Sequence, residues 1–133
     1  MYKNLIIFLL SIFFLFSCSQ KNNEKVIYEP TDEEIVENLY AEAVKALKEG
    51  DAFYAGKKFK EAEGLLPQYA WSSKASLMAS YADYSRNAYS NAIFGLERYI
   101  NNYPADENIP YAHYLMAMCY YEQILDEKKD LKP

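Results

Sequence analysis

The chain has 133 residues and a formal net charge of -5, which leaves room for one small domain with its own core. That acidic balance excludes a broad basic surface for nucleic acid or for anionic lipid. Its two cysteines, Cys18 and Cys119, are too few for a disulfide framework.

The first stretch carries one positive charge at Lys3 and then runs apolar from Leu5 to Phe16, broken only by Ser11. A helix needs about 20 apolar residues to cross a bilayer, so residues 1–17 are expected to be a signal peptide. The run ends in Leu15-Phe16-Ser17-Cys18, which resembles the bacterial lipobox, where a small residue precedes a cysteine. That resemblance implies that Cys18 is acylated, with palmitate among its chains, and becomes the new N-terminus. Ser19 after it then implies sorting to the outer membrane, with the domain on the periplasmic face. An ordinary secretory signal with an incidental cysteine is the alternative. Residues 18–31 are mostly polar and have too little to bury to repay their ordering. They read as a tether that reaches at most roughly 40 Å, at about 3.3 Å per residue.

Pro30-Thr31-Asp32-Glu33-Glu34 is a helix start. Thr31 can cap, Glu34 completes a capping box, and the acids suit the positive end of the dipole. Ile35, Leu39, Tyr40, Ala43, Val44 and Leu47 follow at the spacing of one helix face, and Gly50 can close the helix in the left-handed conformation. A second helix is predicted from Asp51 to Leu66, a third from Ser72 to Arg86 and a fourth from Ala88 to Asn102. A fifth starts at Pro110 and continues to Leu125. Asn87 stands at the position equivalent to Gly50 and is the next best residue for a left-handed helix end.

Ala55, Phe59, Ala62 and Pro67 are echoed by Ala92, Leu96, Tyr99 and Pro104. The first helices repeat too: Tyr40, Leu77 and Tyr114, then Ala43, Ser80 and Ala117, then Leu47, Tyr84 and Tyr121. Self-similarity at such a period means stacked helix pairs. The small residue of the first helix, Gly50 at the turn, and the Ala55, Phe59, Ala62, Pro67 series resemble the tetratricopeptide repeat. The implied fold is all-α, a right-handed tetratricopeptide-repeat solenoid of two full helix pairs plus one further helix. Repeat 1 spans 32–67, repeat 2 spans 71–104, and the first helix of repeat 3 spans 110–125, with a charged loop at 126–133. The usual period is 34 residues, and the extra residues are expected at Tyr69-Ala70-Trp71 and Asp106-Glu107-Asn108.

A narrower resemblance covers nearly the whole chain. The lipobox and short tether, Gly50-Asp51, Pro67-Gln68-Tyr69-Ala70-Trp71, Leu77 to Ala82, Glu97 to Ile100 before Pro104, and Tyr111 to Leu115 through Tyr120 to Ile124 are similar to the BamD or ComL-type family of outer-membrane lipoproteins. The likeness is to the N-terminal part of that family alone. The chain is therefore expected to stop short after the fifth helix and to leave Met116, Met118, Cys119, Tyr120 and Tyr121 without a covering helix. The family likeness implies a non-enzymatic part of the outer-membrane β-barrel assembly machinery, without cofactors. Its implied partners are the central barrel subunit, accessory lipoproteins, and the C-terminal segments of client outer-membrane proteins. A periplasmic tetratricopeptide adaptor for cell-division or peptidoglycan enzymes is the alternative.

Fourteen tyrosines is a high count for this length, and several fall on the first helices, which line the concave side of such arrays. Superimposing the repeats directs Lys74, Leu77, Tyr81, Tyr84, Tyr111, Tyr114, Met118 and Tyr121 toward that groove. Tyrosine combines apolar area with a hydroxyl that can bond a peptide backbone. The competing reading is that these rings fill the solenoid core. Arg86 and Arg98, the only arginines, are either paired within the chain or free to hold a client carboxylate. His113 and Cys119 lie six residues apart on one helix and point about 240° apart, so they form neither a dyad nor a metal pair there. No phosphate loop, serine elbow or zinc spacing occurs.

Overall fold

Five helices build the part of the chain that the computed structural model describes, residues 29–124. They are α1 (Asp32–Lys48), α2 (Ala52–Leu65), α3 (Ala70–Ser85), α4 (Tyr89–Asn102) and α5 (Ile109–Ile124). The expected signal peptide, the acylated Cys18, most of the tether and the charged loop at 126–133 lie outside the described residues.

The helix ends follow from local chemistry. Thr31 Oγ1 accepts from the Glu34 N–H at 3.3 Å, and the Glu34 carboxylate accepts from the Thr31 N–H at 3.1 Å, so the capping box is formed. At the other end Gly50 takes φ 90°. Its N–H donates to the Leu47 carbonyl at 3.2 Å, and the Asp51 N–H reaches back to Ala46 at 2.9 Å. These two bonds satisfy carbonyls that the helix leaves open. The same pair recurs after α3: Asn87 at φ 62° donates to Tyr84, and Ala88 donates to Asp83, both at 2.9 Å. Asp51 also starts α2 by accepting from the Tyr54 N–H at 2.9 Å. Its counterpart Ala88 gives α4 no side-chain cap.

Two helices start earlier than expected. Helix α3 begins at Ala70, so Ala70 and Trp71 are helical and not loop. The Ser72 hydroxyl donates to the Leu66 carbonyl and ties the first turn of α3 to the end of α2. Helix α5 begins at Ile109, with Pro110 as its second residue. That position tolerates proline because the first four N–H groups of a helix have no intrahelical partner.

Packing divides into two clusters. Val36, Leu39 and Ala43 of α1 meet Ala55, Phe59 and Ala62 of α2 and Ala75, Ala79 and Ala82 of α3. Leu77 of α3 then meets Ala92, Leu96 and Tyr99 of α4 and Ala112, Leu115 and Cys119 of α5. Helix α3 thus closes one unit and opens the next, the nearest-neighbour construction of a solenoid. Ala55, Phe59, Ala62, Ala92, Leu96 and Tyr99, the helical residues of the sequence repeat, are all fully buried, whereas Pro67 and Pro104, which end each series, are exposed. The described fold is an all-α, tetratricopeptide-type stack of two helix pairs and one further helix.

Candidate functional site

The face shared by α1, α3 and α5 gathers the aromatic residues. Tyr81 and Tyr84 of α3 lie with ring centroids 6.4 Å apart, and Tyr111 and Tyr114 of α5 lie 6.3 Å apart. Tyr111 is within electrostatic reach of Tyr81, Tyr84 and Tyr114, so the two pairs form one patch across the α3–α5 seam. Tyr89, which periodicity did not single out, joins from the start of α4 with its ring 5.8 Å from that of Tyr84. Burial pushes the pKa values of Tyr84, Tyr89 and Tyr111 up, and the Glu122 carboxylate adds to the shift at Tyr84 and Tyr89. These hydroxyls therefore stay protonated at neutral pH and can donate as well as accept.

The remaining residues expected in the groove separate. Leu77 is a correction: at 6% exposure it belongs to the second core cluster, because α4 and α5 close over it. Tyr114 and Tyr121 hold the positions equivalent to Leu77 and Tyr84 but are 60% and 54% exposed, since no described helix packs on that side of α5. Met118 is half-buried. Lys74 lies two turns before Tyr81, roughly 10 Å along the helix, with its ammonium 5.0 Å over the Trp71 ring. Trp71 in turn packs 4.9 Å from Tyr40, at the seam of α1 and α3.

Both arginines are committed to buried carboxylates on the other side of the stack. Arg86 holds Asp83 through Nε at 3.0 Å and a terminal nitrogen at 2.8 Å, and Lys60 holds the second Asp83 oxygen at 2.9 Å. Arg98 holds Glu63 at 2.6 Å. Lys60, Asp83, Glu63 and Arg98, but not Arg86, line a cavity of about 580 Å³ between α2 and α4, floored by Ala79 and Ser80 of α3. Its signal in the sequence is Asp83, a charge inside an apolar pattern. Residue spacing alone does not show that Lys60 and Arg98 come from neighbouring helices to meet these acids.

Nothing in this arrangement equips a reaction. Cys119 is fully buried and burial pushes its thiol up, while His113 sits on the exposed side of the same helix. Among the described residues no three His, Cys, Asp or Glu side chains are placed to hold a metal ion, and no helix is long and apolar enough to cross a membrane.

Comparison with known proteins identifies the family. Residues 32–133 match the family model described as YfiO, outer membrane lipoprotein. The outer membrane protein assembly factor BamD of Caulobacter vibrioides is 39% identical over 105 residues, 79% of this chain and 33% of that protein. BamD of Xylella fastidiosa is 31% identical over 83 residues, 62% of this chain and 28% of that protein. BamD of Rickettsia prowazekii is 29% identical over 113 residues, 85% of this chain and 43% of that protein. The chain thus spans about a third of the length of the curated relatives it matches. No solved structure matches it significantly. A stack of helix pairs with an aromatic face and a family match over all but its first 31 residues place this chain in the YfiO family of outer membrane lipoproteins.

Proposed function

We propose that this chain is a non-enzymatic, lipid-anchored subunit of the outer-membrane β-barrel assembly machinery. Cys18 carries the acyl anchor, and the helical domain works on the periplasmic face of the outer membrane. The face of α3 and α5 receives the C-terminal segments of client outer-membrane proteins, and other surfaces meet the central barrel subunit and accessory lipoproteins. The observation that carries this reading is the patch of Tyr81, Tyr84, Tyr111 and Tyr114 on rigid helices. An extended segment with alternating apolar side chains buries its rings there, while tyrosine hydroxyls bond its backbone.

Tyr81→Ala/Tyr84→Ala tests it. The double variant should keep its helical circular dichroism and lose at least tenfold in affinity for a fluorescent peptide carrying a client C-terminal sequence. Unchanged affinity in the folded variant removes the patch as the client site. Affinity capture from detergent-solubilised envelope should bring down the large barrel subunit; capture of division or peptidoglycan enzymes in its place would assign the chain to an adaptor role.

A further inference from the structure

We propose a second binding site, in the cavity between α2 and α4, that takes an extended peptide segment with a carboxylate beside an aromatic side chain. The cavity lies on the face away from the tyrosine patch and does not depend on the client-binding reading. Its polar lining is sorted by accessibility. The carboxylates of Asp83 and Glu63 are sunk in the wall, with side chains only 5% and 10% exposed, whereas Lys60 and Arg98 are 53% and 44% exposed. What the cavity offers a ligand is therefore hydrogen-bond donors, although the whole chain is acidic.

Those donors are pre-positioned and not used up. Lys60 gives one bond to Asp83, leaving two of its three N–H donors. Arg98 gives one terminal nitrogen to Glu63 and makes no other hydrogen bond among the described residues. Its remaining fork can accept a second carboxylate while Glu63 holds the guanidinium still, so little side-chain entropy is lost on binding. Asn91 adds an exposed amide, and Phe94, 69% exposed at the rim, adds an aromatic platform without a packing role of its own. A volume of about 580 Å³ suits two or three side chains of such a segment. The charged lining is balanced, two cations against two acids, but only the cations are exposed to a ligand, and this favours an acidic-aromatic segment of a protein partner over a neutral apolar one.

The test uses the full chain in detergent and a dye-labelled peptide, Gly-Asp-Phe-Asp-Phe-Gly, with a counterpart carrying Asn in both Asp positions. The Asp peptide should bind at least tenfold more tightly than the Asn peptide and weaken with salt. Phe94→Ala, a surface change that leaves the fold intact, and Arg98→Lys, which keeps the charge but loses the fork, should each cost at least fivefold. Equal binding of the two peptides, or undiminished binding in folded Phe94→Ala, overturns the proposal. So does a loss confined to Tyr81→Ala/Tyr84→Ala, which would move the peptide to the tyrosine face. A Tyr81→Ala/Tyr84→Ala protein that still binds the Asp peptide but also retains the client peptide overturns the client reading alone.

Discussion

Asn87 occupies the left-handed region at φ 62°, where a side chain with a Cβ costs roughly 1–2 kcal/mol unless it is glycine or a short polar residue. Its side chain also accepts from the Tyr89 hydroxyl at 2.9 Å. Asn87→Ala should therefore lower stability by about 1–2 kcal/mol, and Asn87→Gly should change it by less than about 1 kcal/mol, as read from urea unfolding. Asp106 governs the second interpair loop. Burial works against its ionisation, but the Asn108 N–H and amide donate to it at 2.9 and 3.0 Å, and the Tyr99 and Ser73 hydroxyls add to the stabilisation. The net effect holds Asp106 at about 2 against an ordinary 3.8. A depressed carboxyl stabilises the fold above its unfolded value, so this contribution is complete above about pH 4 and lost as pH falls through about 2. Discounted for solvent screening at this half-buried site, Asp106→Asn should cost about 1 kcal/mol at neutral pH and flatten stability between pH 4 and 2; an unchanged acid limb would remove Asp106 as its source.

At the level of the helices, α3 and α4 approach each other closely where Gly95 faces Ser80. A Cβ at 95 would run into the Ser80 hydroxyl, which is itself donating to the Ser76 carbonyl at 3.2 Å. Alanine is a better helix former than glycine by about 1 kcal/mol, so the sign of Gly95→Ala depends on its neighbour. In the native background it should destabilise by about 1 kcal/mol, because overpacking outweighs propensity. In Ser80→Ala it should become neutral or stabilising. Thermal melts of the four proteins should give a coupling above about 1 kcal/mol; additive effects would mean that the helices move apart freely. The ion pairs behave differently. Lys60→Ala/Arg86→Ala strands the Asp83 carboxylate, 4% exposed, and should cost about 3 kcal/mol. The spacing of Asp83 and Arg86 on one helix is readable in the sequence. Lys60 comes from another helix, twenty-three residues away, and only the stacking of α2 on α3 brings it there.

For the whole molecule, the two clusters share α3 and little else, so stability should propagate between neighbours and fade with distance. Leu115→Ala, in the second cluster, should cost roughly 2–5 kcal/mol. Hydrogen exchange should accelerate in α4 and α5 well before α1 and α2. Equal acceleration in all helices would mean one undivided cooperative unit. The same nearest-neighbour logic explains the outer side of α5. Tyr114 and Tyr121 repeat positions that are covered in α3, and among the described residues nothing lies over them. Ile124, 70% exposed, extends the strip. A register read from sequence gives these residues equivalent places, but exposure depends on what stacks next, which a repeat pattern does not contain.

The sequence alone determined the helices, their turns and their order, because those depend on neighbours a few residues away: the Thr31–Glu34 box, the left-handed Gly50 and Asn87, and the Ala55 to Pro67 series with its echo. It also places Tyr81, Tyr84, Tyr111 and Tyr114 on the first helices of successive pairs. Which of them meet depends on how the helices stack. Leu77 turns into the core, Tyr89 enters the patch from another helix, and both arginines turn to buried acids around a cavity on the far face. Helical period fixes a side chain's direction around its own axis, whereas its partners depend on how close the next helix lies, and Gly95 against Ser80 sets that for α3 and α4.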